Sequence, residues 1–206
     1  MPEITGVRER RGRAGISVDG EFWAELDAAV AVERGLREGA AFSREELDEA
    51  RVAGERPLAM GRALNLLGYR ARSEGEMRER LGRYGYGEGT AEVVVSRLLE
   101  LGYLDDEEFA RQKAREKARR YGPRRVSADL LKSGVGREVA AGAVEEEFAG
   151  RSEHEAARAA AERRYNTAVE GSDAQVRRVY GFLVRRGYSA SICAEVAREY
   201  RREADQ

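Results

Sequence analysis

Near the start of the chain, apolar and polar residues alternate; further along, the apolar positions take helical spacing. Ile4-Thr5-Gly6-Val7 and Ile16-Ser17-Val18 follow the two-residue period of short strands. Asp19-Gly20 is a hairpin-type turn leading into Glu21-Phe22-Trp23. Ser43-Arg44-Glu45-Glu46 has the form of a capping box and predicts a short helix through about Arg51. Residues 1–55 are expected to form a small α+β cap, a hairpin plus a helix.

From Pro57 onward the pattern is helical. Pro57 is expected in the first turn of a helix carrying Leu58, Leu64 and Leu67. Ser73-Glu74-Gly75-Glu76, Ser152-Glu153-His154-Glu155 and Ser172-Asp173-Ala174-Gln175 each open a helix, and Asp105 with Glu108 gives a related start signal. Glycines at 68, 85, 102, 122, 134 and 187 stand where helices should stop. Met77-x3-Leu81-x3-Gly85 matches Val126-x3-Leu130-x3-Gly134 and Val179-x3-Leu183-x3-Gly187. Beyond the glycines, Val94 and Leu98 correspond to Ala143 and Glu147, then to Val196 and Tyr200. The glycines are 49 and 53 residues apart, which predicts a stacked array of three three-helix repeats, elongated and mainly α. The expected divisions are 1–55, 56–104, 105–150 and 151–206. The repeated apolar positions are assigned to core packing.

Composition narrows the chemistry. The 206 residues are 42% apolar, enough for a real core, and 36% charged, which demands a heavily solvated surface. One cysteine, Cys193, rules out an internal disulfide framework and a multi-Cys zinc site; one histidine, His154, argues against a His-rich metal centre or a His-dependent hydrolase. No apolar run approaches the ~20 residues of a membrane span, and the N-terminus lacks the apolar core of a signal peptide. A soluble, cytoplasmic chain with no membrane association is expected.

The net charge of −1 conceals an uneven distribution. Residues 19–55 hold 11 acids and 4 bases, a net of −7; residues 111–132 hold 9 bases and 2 acids, a net of +7. In the second segment Ala110, Ala114, Ala118 and Tyr121 form a narrow helical seam. Arg111, Arg115 and Arg119 flank it on one side, and Lys113, Lys117 and Arg120 on the other. Gly122-Pro123 starts the next helix, with Arg124 and Arg125 in its first turn. Cations there oppose the helix dipole by about 0.3–1 kcal/mol each, so their presence points to an anionic partner. Against this, Arg outnumbers Lys 34 to 3, and a charge run is usually a solvated face. A smaller cluster, Tyr69-Arg70-Ala71-Arg72-Ser73, falls at a helix junction of the first repeat. A stacked array could align both clusters into one groove.

No catalytic constellation is visible. The chain lacks a G-x-x-x-x-G-K-S/T phosphate loop and a dinucleotide fingerprint. Asp105-Asp106-Glu107-Glu108 is explained by helix-start chemistry, His154 by a helix start, and Cys193 by a small core position. No metal or other cofactor is expected.

Two stretches resemble the RecX regulatory family. One is Tyr69-Arg70-Ala71-Arg72-Ser73-Glu74 followed by Leu98-x2-Leu101-Gly102-Tyr103-Leu104-Asp105-Asp106-x2-Phe109-Ala110. The other is Gly122-Pro123-x2-Val126-x3-Leu130-x2-Ser133-Gly134-Val135. The match covers roughly 57–150, and the third copy more loosely; the 19–22 hairpin resembles the N-terminal extension of longer members. The resemblance implies tandem three-helix repeats and a non-enzymatic modulator that binds the RecA recombinase and its filament on single-stranded DNA; the chain itself is expected to be a monomer. ATP hydrolysis, strand exchange and coprotease activity would be suppressed by occupying the filament groove or blocking extension. By position, the patch carried over is Arg70 and Arg72, plus Lys113, Arg115, Lys117, Arg119, Arg120, Arg124 and Arg125. Members are often markedly basic whereas this chain is near neutral, so direct DNA binding of its own is expected to be weak. The rival expectations are a direct nucleic-acid-binding repeat protein without a recombinase partner, and a protein–protein scaffold.

Overall fold

The alternation at the N-terminus extends beyond the short strands expected. In the computed structural model, which describes residues 1–165 and 173–202, β1 (Ile4–Arg10), β2 (Arg13–Val18) and β3 (Glu21–Asp27) form an antiparallel meander in the order β1-β2-β3. The two connections are Arg11-Gly12 and Asp19-Gly20, all four residues at positive φ, as tight hairpins require. The Asp19-Gly20 turn was legible in advance; the Arg11-Gly12 turn was not. Ile4, Ala14, Ile16, Ala24 and Leu26 point from one face of the sheet into a core completed by Ala28 and Ala31 of α1 (Ala28–Glu33), by Leu36, and by Ala50.

Pro57 does not open a helix. A single helix, α2 (Arg44–Tyr69), starts at the predicted capping box and runs on through Pro57, so residue 56 and Gly68 both lie inside it. Both halves of the box are made: Ser43 Oγ accepts from the Glu46 amide at 3.1 Å, and the Glu46 carboxylate accepts from the Ser43 amide at 2.7 Å. An interior proline ordinarily costs about 3 kcal/mol. Here its ring sits on the exposed side of the helix, and packing on either side of it offsets the loss. The N-terminal half of α2 contributes Ala50 to the sheet core, while Ala59, Ala63 and Leu66 belong to the core of the first repeat. Gly54 allows the approach to the sheet, because a Cβ there would fall 2.8 Å from Leu26 Cβ.

Ten helices are present among the described residues, and those after α2 follow the threefold pattern. The first repeat adds α3 (Glu74–Arg83) and α4 (Glu88–Glu100) to α2. The second is α5 (Asp106–Ala118), α6 (Pro123–Lys132) and α7 (Arg137–Phe148), and the third is α8 (Glu153–Glu162), α9 (Asp173–Arg186) and α10 (Ala190–Arg202). Met77, Val126 and Val179 are fully buried, as are Leu81, Leu130 and Leu183. Gly85, Gly134 and Gly187 each terminate the middle helix of a repeat at positive φ. In all three, the residue after the glycine donates its amide to the carbonyl of the repeated leucine at 3.3 Å. The Leu-x3-Gly spacing is thus the spacing of a helix C-cap that closes back on its own last turn. Ser73 and Ser152 cap α3 and α8 by accepting from the Glu76 and Glu155 amides; Ser172, expected to start α9, lies outside the described residues. The chain divides into two units, Met1–Asp105 with the sheet and first repeat, and Asp106–Gln206 with the second and third repeats. Among the described residues, no helix is long and apolar enough to cross a membrane.

Candidate functional site

The basic segment centres on the α5–α6 corner of the second unit. Ala110 and Ala114 are fully buried, as the seam requires, but α5 ends at Ala118. Arg119 and Arg120 therefore lie in the turn and not on the helix flanks, a correction to the expected stripe. The amides of Arg120 and Tyr121 share the Lys117 carbonyl at 3.0 Å, and Gly122 then serves as the N-cap of α6, with Pro123 in its first turn.

The nine expected cations, and Arg111 beside them on α5, have different surroundings. Arg111 pairs with Glu108 at 3.1 Å and Glu107 at 3.6 Å. Lys113 donates to Ser133 Oγ and lies 5.2 Å from the centre of the Phe109 ring. Asp129 receives Arg125 at 3.1 Å and Lys117 at 3.9 Å, so it offsets one of the two first-turn arginines. Arg115, Arg119, Arg120 and Arg124 are exposed, and none forms a side-chain ion pair among the described residues. Such groups remain available to an external anion, since no internal carboxylate must first be displaced.

Arg70 and Arg72 belong to the α2–α3 junction of the first unit, and both grip Glu76. Arg72 is only 8% exposed and also donates to the Leu66 carbonyl at 3.3 Å, so it is a buried strut between the end of α2 and the start of α3. Burial opposes ionisation of Glu76, yet the hydrogen bonds and charges of Arg70 and Arg72 prevail and hold its carboxyl below the usual range. Arg70 remains half exposed but shares this anchor.

The threefold spacing did not reveal which residues join the second and third repeats. The Gly122 amide donates to the Arg186 carbonyl at 2.8 Å, and the Arg124 amide to the Gly187 carbonyl at 3.1 Å. A Cβ at Gly187 would fall 2.3 Å from the Arg125 nitrogen, and one at Gly122 would fall 2.7 Å from the Gly187 carbonyl oxygen. Through this contact Arg186 joins the corner. Its guanidinium lies 5.5 Å from the Tyr121 ring centre and 4.9 Å from that of Phe182, and it donates to the Arg120 carbonyl at 2.5 Å. Lys117 and Arg125 each approach the same Tyr121 ring at 5.8 Å. Three cations gathered on one aromatic ring form an electropositive corner built from two repeats. The adjacency of Arg186 to the repeated Gly187 was the available signal.

The remaining chemical candidates are structural. Cys193 is buried, burial pushes its thiol pKa up, and its Sγ faces the Tyr188 carbonyl at 3.6 Å. His154 pairs with Glu199 at 2.8 Å and ties α8 to α10. Glu108 accepts from Arg111 and Gln112 within the first turns of α5.

Comparison with known proteins gives this architecture a family context. Three family models match in succession: RecX, first three-helix domain, at 59–98; second, at 105–144; and third, at 152–196. The regulatory protein RecX of a Mycobacterium species is 37% identical over 139 residues, covering 65% of this chain and 76% of that protein. The one from Mycolicibacterium vanbaalenii is 34% identical, covering 73% and 85%. That of Lactobacillus gasseri is 31% identical over 68% of this chain, and here the match spans only about half of the relative's length, 53%. In fold, the chain is similar to a crystal structure of regulatory protein RecX, with a TM-score of 0.58 at 21% identity over 97% of this chain and all of that one. A crystal structure of RecX from Lactobacillus salivarius gives 0.57 at 20% identity, over 71% and 96%.

Proposed function

Because the chain belongs to the RecX family of regulatory proteins, we propose that it is a non-enzymatic regulator of the RecA recombinase. It binds the RecA filament on single-stranded DNA and lowers ATPase, strand-exchange and coprotease activity by occupying the filament groove or blocking extension. The observation that carries this reading is the α5–α6 corner, where Arg115, Arg119, Arg120 and Arg124 stand exposed without an ion pair among the described residues. Arg72 is left out of the contact set because its guanidinium is spent on Glu76 and Leu66.

Occupancy suffices for inhibition. Tandem repeats meet successive protomers of a polymer, and each added contact is intramolecular once the first has formed. Bridging neighbouring protomers resists the movements that accompany turnover. Residues 19–55, at a net of −7, are repelled by DNA, whereas the basic corner is drawn to it.

Co-sedimentation with RecA filaments tests the reading. The wild-type chain should pellet with filament in a salt-dependent manner, and a variant with Arg115, Arg119, Arg120 and Arg124 changed to Ala should stay largely in the supernatant. Equal pelleting of the two would remove the corner from the contact.

A further inference from the structure

Helix α9 carries a second group of cations outside the expected patch. Arg177, Arg178 and Arg185 line an open groove of about 420 Å3, with Gly181 between them, Ala174 at one end and Tyr165 at its side. All three arginines are exposed, and none forms a side-chain ion pair among the described residues. Arg177 and Arg185 are eight residues apart, roughly 12 Å along the helix axis. Gly181, lying between them, leaves the groove floor without a side chain, and a Cβ there would sit 3.3 Å from Arg185 Nη1. The cations therefore form an extended row along an open channel and not a pocket for one small anion.

Aromatic groups border the row. Tyr165 meets Phe182 edge to face, with ring centres 5.6 Å apart and planes at 86°, and its hydroxyl donates to the Arg178 carbonyl at 3.5 Å. Phe182 carries the Arg186 guanidinium, which also lies on Tyr121. An unbroken succession of cation and ring contacts thus leads from the groove to the α5–α6 corner. Grooves that follow the backbone of a single strand combine these elements, positive charge along the channel and aromatic surface beside it. A carboxylate-rich peptide would use the guanidinium row but would draw nothing from the Tyr165 ring at its side.

We propose that the α9 groove binds the phosphodiester backbone of a single nucleic-acid strand, with Arg177, Arg178 and Arg185 as its phosphate contacts and no recombinase required. The near-neutral total charge conceals this capacity because the acidic excess lies in residues 19–55.

Fluorescence anisotropy of a short labelled oligothymidylate, titrated with the full chain over a series of salt concentrations, tests the proposal without RecA present. The wild type should bind at low salt. The R177A/R178A/R185A variant should bind at least about tenfold more weakly, with the slope of log affinity against log salt reduced by about 2. The corresponding triple Lys variant should keep most of that slope. Far-UV circular dichroism and thermal melting of each variant identify any loss that comes from unfolding. An unchanged affinity in the Ala variant, no binding by the wild type at low salt, or displacement by polyglutamate as effective as by unlabelled oligonucleotide would overturn the assignment. Inhibition of RecA ATPase is scored separately, so failure of this site and failure of the filament reading give different results.

Discussion

The Gly122 amide reaches the Arg186 carbonyl at 2.8 Å, and this bond ties the start of α6 directly to the end of α9. Neither Gly122 nor the adjacent Gly187 tolerates a side chain, because the second and third repeats meet there backbone to backbone.

Gly187→Ala and Gly85→Ala should therefore differ sharply in cost. Both sites have positive φ, +87° and +90°, but only at Gly187 would the added Cβ strike Arg125, whereas at Gly85 it would meet nothing within 4 Å. Backbone strain alone costs about 1–2 kcal/mol, while strain plus the collision costs about 3–5 kcal/mol. Urea unfolding of the two variants measures the difference, and equal losses would mean that the inter-repeat contact is not tight.

Arg72→Ala should destabilise the first repeat far more than Arg70→Ala, although both arginines bind Glu76. Arg72 is 8% exposed and also supports the end of α2, whereas the Arg70 side chain is 52% exposed. Losing the buried partner costs about 3 kcal/mol, and losing the exposed one under about 1 kcal/mol. Chemical denaturation of both variants checks the order.

Glu76 should also contribute acid sensitivity. Its carboxyl is depressed in the folded state, against the opposing effect of burial, by Arg70 and Arg72. Its stabilisation is accordingly complete above the unfolded carboxylate value and is lost as pH falls through the lower folded value. The stability advantage of wild type over Glu76→Gln should hold near neutrality and shrink from about pH 4.5 downward. Urea midpoints measured across that range would show a constant gap if the pairing were immaterial.

Glu55 should be the main polar link within the first unit. It is 2% exposed and accepts from Arg51 at 2.7 Å, the Gly87 amide at 2.8 Å and Thr90 Oγ1 at 2.7 Å. Glu55→Ala leaves three donors without their acceptor and should cost about 3 kcal/mol, while Glu55→Gln should recover part of that. Thermal melting with limited proteolysis would follow loosening where α2 meets α4.

The repeat architecture was legible because a helix C-cap imposes fixed spacing between its last buried leucine and its left-handed glycine, and the chain does so three times. The continuous α2 was not legible. Pro57 is locally a start signal, and only the burial of Ala50 on one side and Ala59 on the other shows why the helix continues through it. Charge counting located the basic corner but could not separate the exposed Arg115 from the buried Arg72, since a guanidinium's partner is set by tertiary contact. Arg186 and the α9 row escaped notice for a related reason. Their local net charge is modest, and their significance arises from the groove and from the contact of Gly187 with the second repeat.

DNA-dependent ATP hydrolysis by the cognate RecA, followed while this protein is titrated in, bears most directly on the regulatory reading. Wild type should suppress hydrolysis progressively, and the variant lacking the Arg115, Arg119, Arg120 and Arg124 side chains should need a much higher concentration for the same effect while melting at the wild-type temperature. Undiminished hydrolysis at saturating wild-type protein, or equal suppression by the variant, would contradict the account.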